Sequence, residues 1–265
     1  MWILWLAGCF GDTIDQFNEA KEKIEGLTDP VVLQGFVLGV KEPTDPTIQE
    51  LIEGSDFAPG VGAQIFLADA TNADELDNAV SSALVQIQGS IDIILPEEPE
   101  VAGMYQVYPD EGLQYETGAR WKVLAEVDPD EALSVARFTL PESAAGIDVP
   151  ARHDPLTDLV LDFSTLPTEY DGSLVVVVNE VGEVTYTNEP EDIEDVYSQY
   201  LNDEPVTTVT IPGDAFPEQA IYAIGIAGMQ KTDADNDLDE VNTALSAVVA
   251  GEIVFKPVTT LQFGQ

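Results

Sequence analysis

The sequence predicts a mainly all-β protein built as two tandem β-sandwich domains with a few short helices. Three observations predict it. Apolar residues alternate with polar ones in short runs along most of the chain. Clusters of Pro, Gly, Asp and Glu separate those runs at intervals of about ten residues. Hydrophobic content of 45% in 265 residues supplies real cores, yet no apolar run approaches the roughly 20 residues a membrane-spanning helix needs. Many short strands at such spacing point to sandwiches rather than to one parallel sheet.

The chain opens on Met1-Trp2-Ile3-Leu4-Trp5-Leu6-Ala7-Gly8-Cys9. Small residues ahead of a Cys suit a signal peptidase cut, and the thiol then takes a lipid. Cys9 is the one cysteine of the sequence, so residues 1–8 are expected to be a lipoprotein signal peptide and Cys9 the lipidated residue. An ordinary signal carries Lys or Arg before its apolar region; here the first is Lys21, and an upstream translation start would supply the missing part. The competing reading is a buried N-terminal strand. With Cys9 acylated no disulfide is available, and domains of this size fold without one. Residues 9–28 form the tether. Ile14, Phe17 and Ile24 recur at helical spacing with Gly26 behind them, which suits a short amphipathic helix or a cap on the first domain.

From Pro30 the period becomes two, and residues 31–40 read as a strand. Asp45-Pro46 then starts a short helix, with Asp as cap and Pro in the first turn; Gly54 closes it. Strands are expected at 61–67, 83–88, 91–95, 104–108, 121–127 and 134–140. They make up the first domain, 29–143. Residues 141–155 are rich in Pro, Ala, Gly and Asp and are expected to link the domains. The second domain, 152–260, takes strands at 159–163, 174–179, 183–187, 207–211, 221–230 and 245–256. One helix interrupts it behind Pro190, where Ile193, Val196, Tyr197, Tyr200 and Leu201 share a face.

Several of these pieces carry a resemblance. The run Ala83-Leu84-Val85-Gln86-Ile87-Gln88-Gly89, the triplet Gly103-Met104-Tyr105, and the stretch from Leu113 to Trp121 with Tyr115 and Gly118 follow one another in a characteristic order. With Val123-Leu124-Ala125-Glu126-Val127 behind them, they resemble the transthyretin-like and carboxypeptidase-regulatory-like sandwich modules of bacterial surface lipoproteins. The resemblance covers about a quarter of the chain and implies a fold and a habitat without a catalytic motif. The second half is similar, in a general manner, to immunoglobulin-like and fibronectin-type sandwiches.

Charge limits the partners. Fifty acidic residues face nine Lys and Arg, a formal net of −41. A surface of that sign repels phosphate backbones, which excludes nucleic acid. The acids run through the whole sequence, as suits solubility in salty water. The expected protein is therefore a lipid-anchored, non-enzymatic lipoprotein of the cell envelope, at the outer membrane. It would serve surface structure or bind an envelope protein or a glycan.

Chemistry has few places to stand. The one histidine, His153, lies beside Asp154 in the expected linker, where solvation suits it better than catalysis. One His and one Cys do not make a zinc site, and Gly60-Val61-Gly62 lacks the rest of a dinucleotide fingerprint. Asp233, Asp235, Asp237 and Asp239 alternate in a loop between two expected strands, and oxygen ligands at that spacing suit calcium. The loop departs from an EF-hand, since Leu238 stands where Gly is needed and Ala244 where Glu would complete the set. A solvated acidic tip is the plain alternative. Two rival functions stay open: a carboxylate-dependent extracytoplasmic hydrolase and a calcium-dependent adhesion module. Glycan binding would use an exposed aromatic platform, for which Tyr105, Tyr108, Tyr115 and Trp121 are the candidates.

Overall fold

The computed structural model describes residues 31–53, 55, 57–69, 79–99, 101–126, 134–190, 199–200, 205–233 and 246–261. The expected signal peptide and tether lie outside them, as does most of the helix expected behind Pro190.

In the first half, β1 (Val31–Val40) is followed by helix α1 (Pro46–Glu53) and then β2 (Gly60–Asp69), β3 (Leu84–Gln88), β4 (Asp92–Leu95), β5 (Met104–Val107), β6 (Arg120–Glu126) and β7 (Ser134–Thr139). The second half holds β8 (Arg152–His153), β9 (Leu159–Asp162), β10 (Gly172–Val178), β11 (Val184–Thr187), β12 (Thr208–Ile211), β13 (Ile221–Asp233) and β14 (Ala247–Thr260). α1 begins as its sequence dictates: the Asp45 carboxylate accepts from the Thr47 N–H at 2.9 Å, Pro46 occupies the first turn, and Ile48, Leu51 and Ile52 are buried.

The fold is an all-β sandwich, but its halves are joined in a way that alternation does not reveal. β14 lies parallel to β1, with Gln34 opposite Ala247 and Val40 opposite Ile253. This pairing fuses both halves into one eight-stranded sheet in the order β11-β10-β13-β14-β1-β2-β5, with β8 added beside β14. Two smaller layers cover it: the four-stranded sheet β4-β3-β6-β7 and the ribbon β12-β9.

Strand periodicity assigns the cores. On one face of the central sheet, Leu33, Val37, Ile65, Tyr105, Val248 and their neighbours pack against Val85, Ile87, Trp121 and Phe138 of the four-stranded cover. Further along the same face, Val175, Val177, Tyr222, Ile224 and Val258 pack against Leu159, Leu161 and Ile211 of the ribbon. The opposite face carries a single core spanning both halves, from Phe36 and Phe66 through Val249 and Phe255 to Val176 and Met229, with α1 laid upon it. Residues of the first and last strands are therefore neighbours within one hydrophobic layer.

The expected division at 144–151 falls where the chain passes between the two covers. Ala144 and Ile147 are fully buried in the core under the ribbon, while Ala145, Gly146, Asp148, Pro150 and Ala151 between and beyond them are exposed. The segment crosses the central sheet between the two covers and is fastened from both sides. The Tyr115 ring lies over Gly39 of β1, where an added Cβ would come 2.6 Å from the ring, and its hydroxyl donates to the Pro141 carbonyl at 2.9 Å. The Tyr170 ring lies over Gly228 of β13, and its hydroxyl donates to the Glu142 carbonyl at 3.0 Å. Lys256 donates to the Ile147 carbonyl. Glu252, opposite Gly39 in the ladder, sits nearly buried in this seam with Lys41 at 3.8 Å. Composition marked these residues as loop; hydrogen bonds and two glycine-made hollows turn them into a fastening.

Candidate functional site

Most of the expected site residues lie outside the described ones. Cys9 lies outside the described residues, as do Asp235, Asp237 and Asp239. Asp233 is the last residue of β13, opposite Ala247. Among the described residues no group of three or more His, Cys, Asp or Glu is arranged to hold a metal ion.

His153 is a packing residue. It pairs through β8 with Thr260 of β14, is almost fully buried, meets Phe216 edge-on at 5.1 Å between ring centroids, and donates from Nε2 to the Thr157 carbonyl at 2.9 Å. The neighbouring Asp154 carboxylate turns away to accept the Leu156 N–H. The two therefore form no catalytic dyad, and the expectation of a solvated His153 is corrected to a buried one.

The aromatic platform is also corrected. Trp121 and Tyr105 are core residues. Trp121 packs edge-on against Phe138, while the Tyr105 hydroxyl donates to the Val80 carbonyl and accepts from the Ala83 N–H. Tyr115 lies in the seam, where burial pushes its phenol up, with the Glu252 and Tyr170 charges adding to the effect. Tyr108 alone is exposed, and a single ring makes no platform.

The structure brings together a different set of residues, visible only once the register is known. On the outer face of the four-stranded cover, Ile94, Gln86 and Leu124 lie side by side across β4, β3 and β6. The next row is Asp92, Gln88, Lys122 and Arg137. Leu84 and Glu126 continue the face on one side, Arg120 and Thr139 on the other. Ile94 is 59% exposed and Leu84 46%, and Arg120 and Lys122 are exposed. These outward positions hold five charged side chains, of which three are cations. The composition of the chain would place roughly one there. Ile94 and Leu124 thus lie beside a row that carries Lys122 and Arg137 with Asp92 at its end, on a protein of net −41.

The other cover presents the opposite sign. Outward from β9 stand Asp158, Val160 and Asp162, with Val160 55% and Leu156 71% exposed. Beside them a cleft of about 740 Å³ is lined by Leu156, Asp158, Asp214, Phe216 and Glu218 among others. Asp158 accepts the Gly213 N–H and Asp162 accepts the Ser164 N–H, so these two carboxylates also fix the local turns. Asp214 and Glu218 are exposed.

Comparisons with known proteins define the class no more finely than the strands do. No protein-family model matches the chain, and no curated protein sequence does. Among solved structures it is similar to a two-domain fibronectin type III segment of chicken tenascin at 10% identity, covering 75% of this chain and 92% of that one, with a TM-score of 0.23. It is also similar to the three N-terminal domains of the outer capsid protein Hoc of bacteriophage RB49, at 8% identity and a TM-score of 0.23, covering 88% of this chain and 59% of that one. A third similarity is to the two immunoglobulin domains of DIP-gamma, at 9% identity and a TM-score of 0.19, covering 87% and 96%. Superpositions at these scores carry no argument. No helix among the described residues is long and apolar enough to cross a membrane.

Proposed function

We propose that this protein is a lipid-tethered, non-enzymatic sandwich protein of the cell envelope that works by binding a partner protein. The observation that carries the binding role is the outer face of the four-stranded cover, where Arg120, Lys122 and Arg137 gather beside Ile94, Leu84 and Leu124. Cations are scarce in this chain, and three of nine share one flat surface. Apolar area supplies affinity, while the charged row selects against the wrong partner. The tether rests on Leu6-Ala7-Gly8-Cys9 and the small residues ahead of the thiol. A transthyretin-like identity for the first half and an immunoglobulin-like one for the second belong to the same proposal.

The test separates the two roles. Intact mass of the membrane fraction should show a protein beginning at Cys9 with acyl additions, and Cys9→Ser should release it. Crosslinking on intact cells should give a protein adduct that Arg120→Glu with Lys122→Glu removes. A soluble, unmodified protein retaining Trp2 would overturn the tether. An adduct indifferent to the charge reversal would overturn the binding face.

A further inference from the structure

We infer that the partner is a second copy of this chain, bound reciprocally: the cationic outer face of each copy rests on the acidic outer face of the ribbon in the other. This rests on the binding role assigned to the four-stranded cover and names its occupant. Both surfaces are outer faces of covers laid on the same side of the central sheet, and they are complementary in charge and in polarity. One offers Ile94, Leu84 and Leu124 with Arg120, Lys122 and Arg137. The other offers Val160 and Leu156 with Asp158, Asp162, Asp214 and Glu218.

Charge decides the geometry of the contact. Two cationic faces placed together would each bring three cations and two carboxylates (Asp92 and Glu126), a surplus of like charge that opposes contact, whereas the ribbon face offers carboxylates alone. The complementary surface lies on the neighbouring cover, so each copy brings one cationic and one acidic face to the contact. Because both faces look out from the same side of the central sheet, a two-fold rotation that sets one cationic face on the partner's acidic face also brings the second pair together and closes a dimer.

Net charge sets the conditions. Each copy carries −41, so copies repel at long range when salt is low. Monovalent salt shortens that reach from about 30 Å at 0.01 M to about 3 Å at 1 M, while contacts that exclude water are screened far less. Association should therefore strengthen as salt rises.

The experiment is sedimentation velocity on the full chain carrying Cys9→Ser, at rising protein concentration in about 0.1 M and 1 M sodium chloride. Because this chain has no lipid, the outcome is independent of the tether. The expected result is an average mass that climbs from the 28.6 kDa monomer toward a dimer, more so at high salt. Arg120→Glu with Lys122→Glu should hold the chain at monomer mass. So should Asp214→Lys with Glu218→Lys, chosen because Asp158 and Asp162 also fix turns. Mixing the two variants should restore association, since each keeps the face the other has lost. That recovery also shows that both variants are folded. A wild-type chain that stays monomeric at high salt and concentration overturns the inference, and so does association that survives either reversal or a mixture that stays monomeric. If crosslinks on cells still depend on Arg120 and Lys122 while the purified chain remains monomeric, the binding face stands and self-association falls.

Discussion

The two covers lie on one face of one sheet and are built on the same rule, yet they end as opposites. Under the four-stranded cover, alternation sends Val85, Ile87, Trp121 and Phe138 inward; under the ribbon it sends Leu159, Leu161 and Ile211 inward. The outward positions differ in sign: Lys122 and Arg137 on one, Asp158 and Asp162 on the other. Burial fixes the inner set because one-residue slips would expose it. Nothing in folding fixes the outer set, so a cationic patch on so acidic a chain asks for a binding explanation.

The largest expected effect tests whether the covers are energetically separate. Trp121→Ala empties a fully buried site in the first cover and should cost about 3–5 kcal/mol. Because β1 and β14 share a ladder, the whole unfolding transition should move, ribbon included. Phe163→Ala, beneath the ribbon, should move the same transition. Thermal unfolding followed by tyrosine fluorescence and by far-UV circular dichroism should give coincident midpoints in both variants.

Salt comes next. Bringing carboxylates together on folding opposes the compact state, and screening relieves that repulsion. Raising sodium chloride from about 0.01 M to 1 M at neutral pH should raise the unfolding midpoint by more than any single hydrogen bond contributes. A flat midpoint would mean that the acids are already compensated.

The seam between the covers gives a smaller effect. Tyr115→Phe and Tyr170→Phe each remove one hydrogen bond to the crossing segment, at about 1 kcal/mol apiece. Together they should speed proteolysis within residues 141–151, which the wild-type protein should resist. Urea unfolding of both single variants and the pair would measure it.

Two carboxylates sharpen the contrast at the smallest scale. Glu189, behind β11, is desolvated by burial and pushed up to about 7. A raised carboxyl contributes stability at low pH that is lost as pH climbs toward that value. Glu189→Gln should therefore stabilise the protein at about pH 8 by on the order of 1 kcal/mol, since partial exposure tempers the effect, and leave it unchanged at about pH 4. Glu97 is the reverse case. Burial raises it, but the N–H groups of Gly103 and Ser82, with the Ser81 hydroxyl, outweigh that and hold it below its ordinary value. Its stabilisation is present above the ordinary carboxylate range and is lost as pH falls. Glu97→Gln should cost under about 1 kcal/mol near neutrality.

Much of the local structure was legible in the sequence. Alternation located β1, β2 and β14 to within a few residues, and Asp45-Pro46 marked α1, because burial on one side writes itself into each strand. Pairing was not legible. Nothing in the spacing of Gln34 or Ala247 announces that they lie side by side across more than 200 residues. For the same reason residues 141–155 read as a linker: Tyr115 and Tyr170, which fasten them, come from elsewhere in the chain. The cationic face escaped for a related reason. Arg120, Lys122 and Arg137 sit on two strands, and Gln88 and Asp92 complete their row from two more. The signal in the sequence was the scarcity of cations, which made three within eighteen residues worth noting.

The central claim is that one continuous sheet makes both halves a single folding unit. Differential scanning calorimetry of the full chain tests it most directly. The account predicts one transition whose calorimetric and van't Hoff enthalpies agree, in the wild type and in Trp121→Ala alike. Two resolved transitions, with only the one belonging to residues 29–143 shifted by Trp121→Ala, would contradict it.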